Sequence, residues 1–327
     1  MYFTKDYNFC RLKITNLSKS YLFFWLHRIT NKGKTRLYPI AISIEPINRC
    51  NLCCPECPTG NRSLQRDKEV MQWSIFTKVI DELAPSLFWA TLYFQGEPFL
   101  HPQFQEMIHY CHRKNIFTYT SSNGQLIDSE TAKKTVESGL DKIVISVDGL
   151  TQEVYQQYRR GGSLQKVIEA IQYLSYWKKE LQRATPVIEA QFIVMKHNEF
   201  QLHDVKKTAL SWGADSVSLK TAQIEFDHIE QLVPSQKKYA RYVKASDGSW
   251  QLKKKMRNRC WRQWSSAVIA ANGDVLPCCF DKNGEHAFGN VTHESFFEIW
   301  NGEKANLFRE RIRSDRKSIA ICRNCTE

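Results

Sequence analysis

From Pro39 onward, short runs rich in β-branched residues alternate with stretches that carry an apolar residue every three or four positions. The first run, with Ile40, Ile42 and Ile44, predicts a strand that ends at Pro46. The pattern then predicts a helix over 73–83, a strand over 91–94, a helix over 103–114 and a strand over 117–121. A helix over 129–138 leads into the run Lys142 to Asp148, followed by helices across 151–182, a strand over 187–194, and a last helix and strand ending at Leu219. Parallel strands need crossovers of about a dozen residues or more, so six strands separated this way predict an α/β chain whose parallel sheet curves into part of a barrel. In such barrels the chemistry gathers on loops leaving the carboxyl ends of the strands. The cysteines of 50–57 follow the first strand, Gln95-Gly96-Glu97-Pro98 the second and Ser122-Asn123-Gly124 the third, while Ser146-Val147-Asp148-Gly149 ends the fourth. All four are expected at one mouth.

Residues 226–259 are polar and basic, contain Pro234, and read as a helical or irregular bridge. Beyond it, Val268 to Ala270, the Asn272-Gly273 turn and Val275 to Phe280 predict a hairpin, with a helix over 295–314. The expected organisation is a basic aromatic segment at 1–38, a barrel at 39–225, a linker at 226–259 and a small domain at 260–327. A chain of 327 residues is long enough for such a core and an appended domain.

Charge and targeting signals narrow the setting. The longest apolar run, Tyr21 to Leu26, is far short of the roughly 20 residues that cross a bilayer. It precedes His27 and Arg28 instead of a small-residue cleavage site, which disfavours a secretory signal and predicts a cytoplasmic protein. The net charge is +12, and residues 1–38 contribute eight Lys or Arg against the lone acid Asp6, a net +7. Lys253, Lys254, Lys255, Arg257, Arg259 and Arg262 form a second basic stretch. Such runs suit either anionic partners or a solvated face, and no nucleic-acid-binding motif accompanies them. Leu17, Tyr21, Leu22, Phe24, Trp25 and Ile29 lie among basic neighbours, which reads as a helix packed on the barrel or as a peripheral membrane contact.

Eleven cysteines in a reducing compartment point to metal or reactive thiols before disulfides. They divide into Cys50, Cys53, Cys54 and Cys57 early and Cys260, Cys278, Cys279, Cys322 and Cys325 late, with Cys10 and Cys111 apart. Cys50-x-x-x-Cys54-x-x-Cys57 offers three thiolates on one loop, one fewer than the four that usually hold a cubane cluster, so one iron would stay open to a chelating ligand.

This loop, set within Ile44-Glu45-Pro46-Ile47-Asn48-Arg49-Cys50-Asn51-Leu52, resembles that of the radical S-adenosylmethionine superfamily. The resemblance implies a partial (β/α)6 TIM-like barrel and a 4Fe–4S cluster on Cys50, Cys54 and Cys57. It further implies that the open iron binds S-adenosylmethionine, whose reductive cleavage yields a 5′-deoxyadenosyl radical that abstracts hydrogen. Cys53 falls outside the spacing. Gln95-Gly96-Glu97-Pro98 is similar to the family's Gly-Gly-Glu-Pro turn around the methionyl amine, with Gln in place of the first Gly. Ser146 and Arg159 resemble the family's contacts to ribose and carboxylate, and Asn123 with Gly124 a further one. Arg160 adjoins Arg159 and leaves the register open.

Cys260, Cys278, Cys322 and Cys325 make four ligands, a closed set that suits a second 4Fe–4S cluster or a structural zinc on spacing alone. The spacing Cys260-x12-Gly273-x4-Cys278 followed by Cys322-x-x-Cys325 resembles the twitch form of the SPASM auxiliary-cluster domain. That resemblance implies an electron acceptor near the substrate, hence a dehydrogenase- or maturase-like oxidoreductase acting on a small-molecule carbinol or a peptide side chain, with a flavodoxin- or ferredoxin-type donor. Having one auxiliary cluster is similar to the inosamine dehydrogenases, although this chain is longer. In sulfatase maturases an aspartate base follows the cysteine matching Cys278; here that position is Cys279, so Cys279 and Asp281 are the candidate bases. Two other readings are radical modification of RNA, resting on the basic charge, and a non-catalytic iron–sulfur scaffold or electron carrier.

Overall fold

The computed structural model describes residues 11–29, 36–224 and 228–327. Residues 1–10 and 30–35 of the basic segment, and 225–227 at the start of the linker, lie outside the described residues. Helix α1 (Arg11–Ile29) precedes β1 (Ala41–Ile44). Then follow α2 (Trp73–Leu83), β2 (Trp89–Thr91), α3 (Phe104–Arg113), β3 (Phe117–Ser122), α4 (Ser129–Glu137), β4 (Lys142–Ser146), α5 (Gln152–Tyr158), α6 (Leu164–Glu180), β5 (Val187–Val194), α7 (Leu202–Ser211) and β6 (Ser216–Thr221). Strands β1 to β6 pair in chain order and parallel, which is the partial barrel expected from the alternation.

Strand periodicity divides the barrel into two faces. Along β5, Ile188, Ala190, Phe192 and Val194 are buried against the helices, and Val187, Glu189, Gln191 and Ile193 are half-buried on the other face. In β3 the buried and half-buried residues alternate in the same way. The helices supply the outer half of the core. Phe76, Val79, Ile80 and Leu83 of α2 are buried at helical spacing, and truncating one such leucine to alanine costs roughly 2–5 kcal/mol. Helix starts are fixed by side-chain caps, with Asp128 accepting from Thr131 N–H, Thr151 from Val154 N–H and Ser163 from Lys166 N–H.

The second strand begins earlier than its β-rich residues suggest. Leu92 N–H still donates to Tyr119 O (2.8 Å), but the chain then leaves the sheet so that Gln95 N–H reaches Glu45. The linker also holds more order than expected: α8 (Ile229–Leu232) is followed by a hairpin of β7 (Tyr242–Lys244) and β8 (Trp250–Leu252). Its signal is Asp247-Gly248, with Gly248 at φ +83°.

The carboxyl-terminal part comprises α9 (Arg262–Ser265), β9 (Ser266–Ile269), β10 (Asp274–Leu276), β11 (Gly289–Asn290), α10 (Phe296–Asn301) and α11 (Glu303–Asp315). The one helix expected over 295–314 is broken at Gly302, whose backbone is extended at ψ 176°. The hairpin does not form a separate sheet. β9 pairs parallel with β1, so the described strands join in one sheet of order β11-β10-β9-β1-β2-β3-β4-β5-β6. The pairing covers the β1 edge, which a partial barrel would otherwise leave open.

Helix α1 crosses the amino ends of these strands. Lys13 Nζ donates to Asn115 O (3.1 Å), Asn16 Nδ2 to Tyr38 O (2.8 Å), and Phe24 and Tyr21 meet Trp261 edge-on with centroids 5.4 and 5.8 Å away. Among the described residues, no helix is long and apolar enough to cross a membrane.

Candidate active site

The loop after β1 is shaped from both sides before any cysteine is considered. Asn48 Nδ2 donates to Asp67 O (2.7 Å) and its Oδ1 accepts from Glu69 N–H (2.8 Å), which closes the chain from 48 to 69 into a ring. Gly96 sits at φ +81°, and a Cβ there would lie 2.4 Å from Ile47 O and 2.7 Å from Arg49 O. At Gly60 a Cβ would lie 2.6 Å from Cys54 N. Only glycine lets the turn after β2 and the end of the cysteine loop approach this closely.

Within this cradle Cys54 is buried, Cys50 and Cys57 are half-buried, and Cys53 points to solvent. Burial pushes the Cys50 thiol up to about 11, with Cys54 and Cys57 near enough to add to the rise. Two side chains aim nitrogen at the sulfurs: Asn123 Nδ2 at Cys50 Sγ (3.7 Å) and Arg159 Nη1 at Cys54 Sγ (3.9 Å). Three thiols on one loop, with side-chain N–H donors toward two of them, are a donor set suited to an iron–sulfur cluster with one open iron. After the fourth strand, Arg159 faces the loop, whereas Arg160 is exposed, its backbone oxygen accepting from Cys53 N–H (3.0 Å) and its own N–H donating to Tyr158 O (3.0 Å).

Glu97 is 2% exposed, and its carboxylate is largely occupied by the chain. Its Oε1 accepts from Ser122 Oγ (2.8 Å) and Phe99 N–H (3.3 Å), and its Oε2 from Asn123 N–H (2.8 Å). These fill three of roughly four acceptor positions on a carboxylate. Burial raises its pKa to about 7, against these hydrogen bonds. Gly124 follows at φ +75°, its N–H donating to Ser122 Oγ (3.0 Å). Ser146 ends β4 opposite Gln191, on the face away from the core residues Ile143 and Ile145.

The second group of cysteines gathers beside the first hairpin of the carboxyl-terminal part. Cys260, Cys322 and Cys325 are buried and Cys278 is half-buried; Cys325 raises the pKa of Cys260 and Cys322, and Cys260 and Cys322 raise that of Cys278. Burial pushes Cys260 up to about 11. Arg316, 1% exposed, donates from Nη2 to Cys325 Sγ (3.1 Å). Four thiols and a cationic donor suit a closed cluster site.

The two candidate bases have different surroundings. Asp281 is fully buried and turns back on its own loop, its Oδ1 accepting from Glu285 N–H (2.9 Å) and its Oδ2 from His286 N–H (3.0 Å). It is a turn-forming residue in this structure. Cys279 stands near Tyr93 and Arg262; burial raises its pKa and the Arg262 charge lowers it.

Sequence reading missed the polar lumen and the joint between the two loops. Lys142 Nζ pairs with Glu189 Oε2 (2.6 Å), whose Oε1 accepts from Ser218 Oγ (2.7 Å). A cavity of about 280 Å³ is lined by Ser43, Thr91, Tyr119, Arg262, Ser266 and Glu327, among others. Period-two polar residues opposite the apolar ones were the available signal. At the joint, Glu45 is fully buried and takes a bidentate ion pair from Arg66 (2.6 and 2.7 Å), plus Gln95 N–H (3.3 Å) and Ala271 N–H (3.0 Å). Arg66 Nε donates in turn to Lys282 O (2.8 Å), so one pair holds the turn after β2 and the loop after Cys278 against the first cysteine loop.

A parallel partial barrel with three thiols at its mouth and four more beside an added hairpin defines a two-cluster enzyme. Residues 44–175 match the radical SAM superfamily model and residues 260–326 match SPASM, an iron–sulfur cluster-binding domain. The chain belongs to the radical S-adenosylmethionine superfamily and carries a carboxyl-terminal SPASM domain. The two domains imply 4Fe–4S clusters and S-adenosylmethionine. The chain is 27% identical over 314 residues to the mycofactocin maturase MftC of Mycobacterium ulcerans, covering 88% of this chain and 80% of that one. It is 25% identical over 299 residues to the tungsten-containing aldehyde ferredoxin oxidoreductase cofactor-modifying protein of Pyrococcus furiosus, covering 81% and 82%. Among solved structures it shares the fold of Streptococcus suis SuiB bound to S-adenosylmethionine, with a TM-score of 0.65 and 16% identity over 96% of this chain and 76% of that one. SuiB has also been solved with its precursor peptide SuiA.

Proposed function

We propose that this enzyme oxidises a side chain of a peptide substrate held in the barrel lumen. Cys50, Cys54 and Cys57 would hold the first cluster, and Cys260, Cys278, Cys322 and Cys325 the second. When bound, the first cluster and S-adenosylmethionine supply the radical that removes a hydrogen atom, and the second cluster supplies an acceptor for one electron. The chain's own residues bind, orient and exclude water. Asn123 and Arg159 direct N–H groups at the first cysteine loop, Glu97 offers its last acceptor position to the methionyl amine, and Ser146 faces the same space.

The observation that carries the peptide reading is the open side of the barrel. β6 ends the sheet, and its last three residues, Leu219, Lys220 and Thr221, are exposed. An extended chain can enter beside that edge and place one side chain among Ser146, Gln191 and Ser218. The names of relatives support this: a mycofactocin maturase, and SuiB crystallised with a precursor peptide. The proton released on oxidation would pass to water, since burial keeps Cys279 a protonated thiol and Asp281 has both oxygens engaged. A flavodoxin- or ferredoxin-type protein would supply the electron for the first cluster.

The test is anaerobic reconstitution with reductant and S-adenosylmethionine. The expected result is about eight irons per chain and formation of 5′-deoxyadenosine. Replacing Cys50, Cys54 and Cys57 by Ala should abolish cleavage and leave about four irons. A peptide substrate should gain speed of cleavage and leave as a product lighter by two hydrogens. Iron without any 5′-deoxyadenosine would instead support a scaffold or carrier.

A further inference from the structure

Each cysteine group has an arginine aimed at one of its sulfurs, and the two arginines differ in how their charge is balanced. At the first loop, Arg159 lies 3.9 Å from Cys54 Sγ, and its Nη2 and Nε are 2.5 and 2.6 Å from Asp148 Oδ2. Asp148 is itself fully buried and held by Ile193 N–H (2.6 Å). The positive charge near Cys54 is therefore cancelled at contact distance.

At the second group, Arg316 is closer and is balanced differently. Its Nη2 is 3.1 Å from Cys325 Sγ, and its Nη1 donates to the backbone oxygens of Arg259 (2.8 Å), Glu327 (3.0 Å) and Arg257 (3.4 Å). Three backbone oxygens, that of the last residue Glu327 among them, pin the guanidinium so that it cannot swing away from the sulfur. Its charge acts on Cys260, Cys322 and Cys325.

We propose that Arg316 raises the reduction potential of the second cluster above that of the first, and so sets the direction in which the substrate's electron leaves. The inference rests on the two-cluster oxidative reading. A cubane with four thiolate ligands is anionic in both oxidation states, and reduction adds negative charge to a buried group. A fixed cation hydrogen-bonded to a ligand sulfur stabilises the reduced form more than the oxidised one. Arg159 exerts less of this effect because it stands 3.9 Å from its sulfur, against 3.1 Å for Arg316, and leans on Asp148, which keeps the first cluster strongly reducing, as cleavage of a sulfonium requires. The step balances: the substrate loses one hydrogen atom to the 5′-deoxyadenosyl radical, then one electron to the second cluster and one proton to water.

The experiment is a potentiometric titration of the reconstituted full-length enzyme followed by electron paramagnetic resonance, with Arg316→Met and Arg316→Lys beside the parent. The first cluster is recognised because S-adenosylmethionine changes its signal. In Arg316→Met the second cluster's midpoint is expected to move to more negative potential while the first stays in place, with Arg316→Lys between Met and the parent. More 5′-deoxyadenosine should also form per oxidised product. A Met variant that holds both clusters with an unmoved second midpoint overturns the inference. If that variant fails to load its second cluster, the Lys variant decides: a negative shift supports the role and an unmoved midpoint overturns it. A parent enzyme with only one cluster overturns the oxidative reading itself, a result separate from either.

Discussion

Arg159 grips Asp148 at 2.5 Å with one side of its guanidinium and reaches toward Cys54 with the other, so a residue on the loop after α5 is held in place by the end of β4. Asp148 has φ +47°, a conformation that non-glycine residues seldom adopt, and Asn198 Nδ2 donates to its carbonyl (3.0 Å). The pair turns a flexible arginine into a fixed cationic surface beside the first cysteine loop.

Removing that surface should impair cofactor use more than folding of the rest. Arg159→Ala is expected to lower S-adenosylmethionine cleavage roughly 10- to 100-fold, the usual scale for losing a partner that orients a metal site. Asp148→Asn should do the same by freeing the arginine. Stopped-time assays of 5′-deoxyadenosine against cofactor concentration check both, with iron content as the control.

Gly96→Ala should disrupt the first loop itself. The added methyl would meet Ile47 O at 2.4 Å in a backbone at φ +81°, and neither oxygen nor turn can yield without moving the cysteines. A stability loss of about 1–3 kcal/mol is expected from the strained backbone alone. Chemical unfolding measures it, and iron content should fall toward that of the second site.

Breaking the Glu45–Arg66 pair should cost about 3–5 kcal/mol, because the surviving charge stays buried without its partner. Arg66→Met leaves the Glu45 carboxylate with only two backbone N–H groups, from Gln95 and Ala271. Denaturant titration reads the loss. Since Arg66 also holds Lys282 O, both cluster loops should become more open to protease.

The buried Glu97 predicts a pH dependence of stability in the iron-free protein. Its folded pKa, about 7, lies above the ordinary 4.5, so between those values the native state holds the extra proton. Its contribution is present in full below about 4.5 and is lost as pH rises through about 7. Glu97→Gln should flatten the fall in unfolding free energy across that interval. Unfolding curves of both forms at pH 5, 6, 7 and 8 check it.

What could be read from the chain were features in which near neighbours act together. Strand and helix alternation, the three-thiol loop, Gln95-Gly96-Glu97-Pro98 and the terminal Cys322-x-x-Cys325 are each complete within a few residues. The hairpin at Asp247-Gly248 was equally local and was missed because its flanks are polar and basic. Asp281 is a candidate base on sequence, although an acid beside a cysteine pair more often shapes a turn; only the 281–286 loop shows where its oxygens go.

The sequence by itself determined the barrel, the two cysteine groups and the chemistry they share, since hydrophobic period, loop spacing and thiol count depend on positions close along the chain. Tertiary structure alone decided that β9 completes the β1 edge, that Glu45 and Arg66 lock the cysteine loops together, that Arg159 and not Arg160 meets Cys54, and that Arg316 lies on Cys325. Each of these joins groups that are distant in sequence or that compete for one partner. Their outcome depends on which buried charges and open strand edges the folded chain brings together, and on the cost of leaving any of them unpaired.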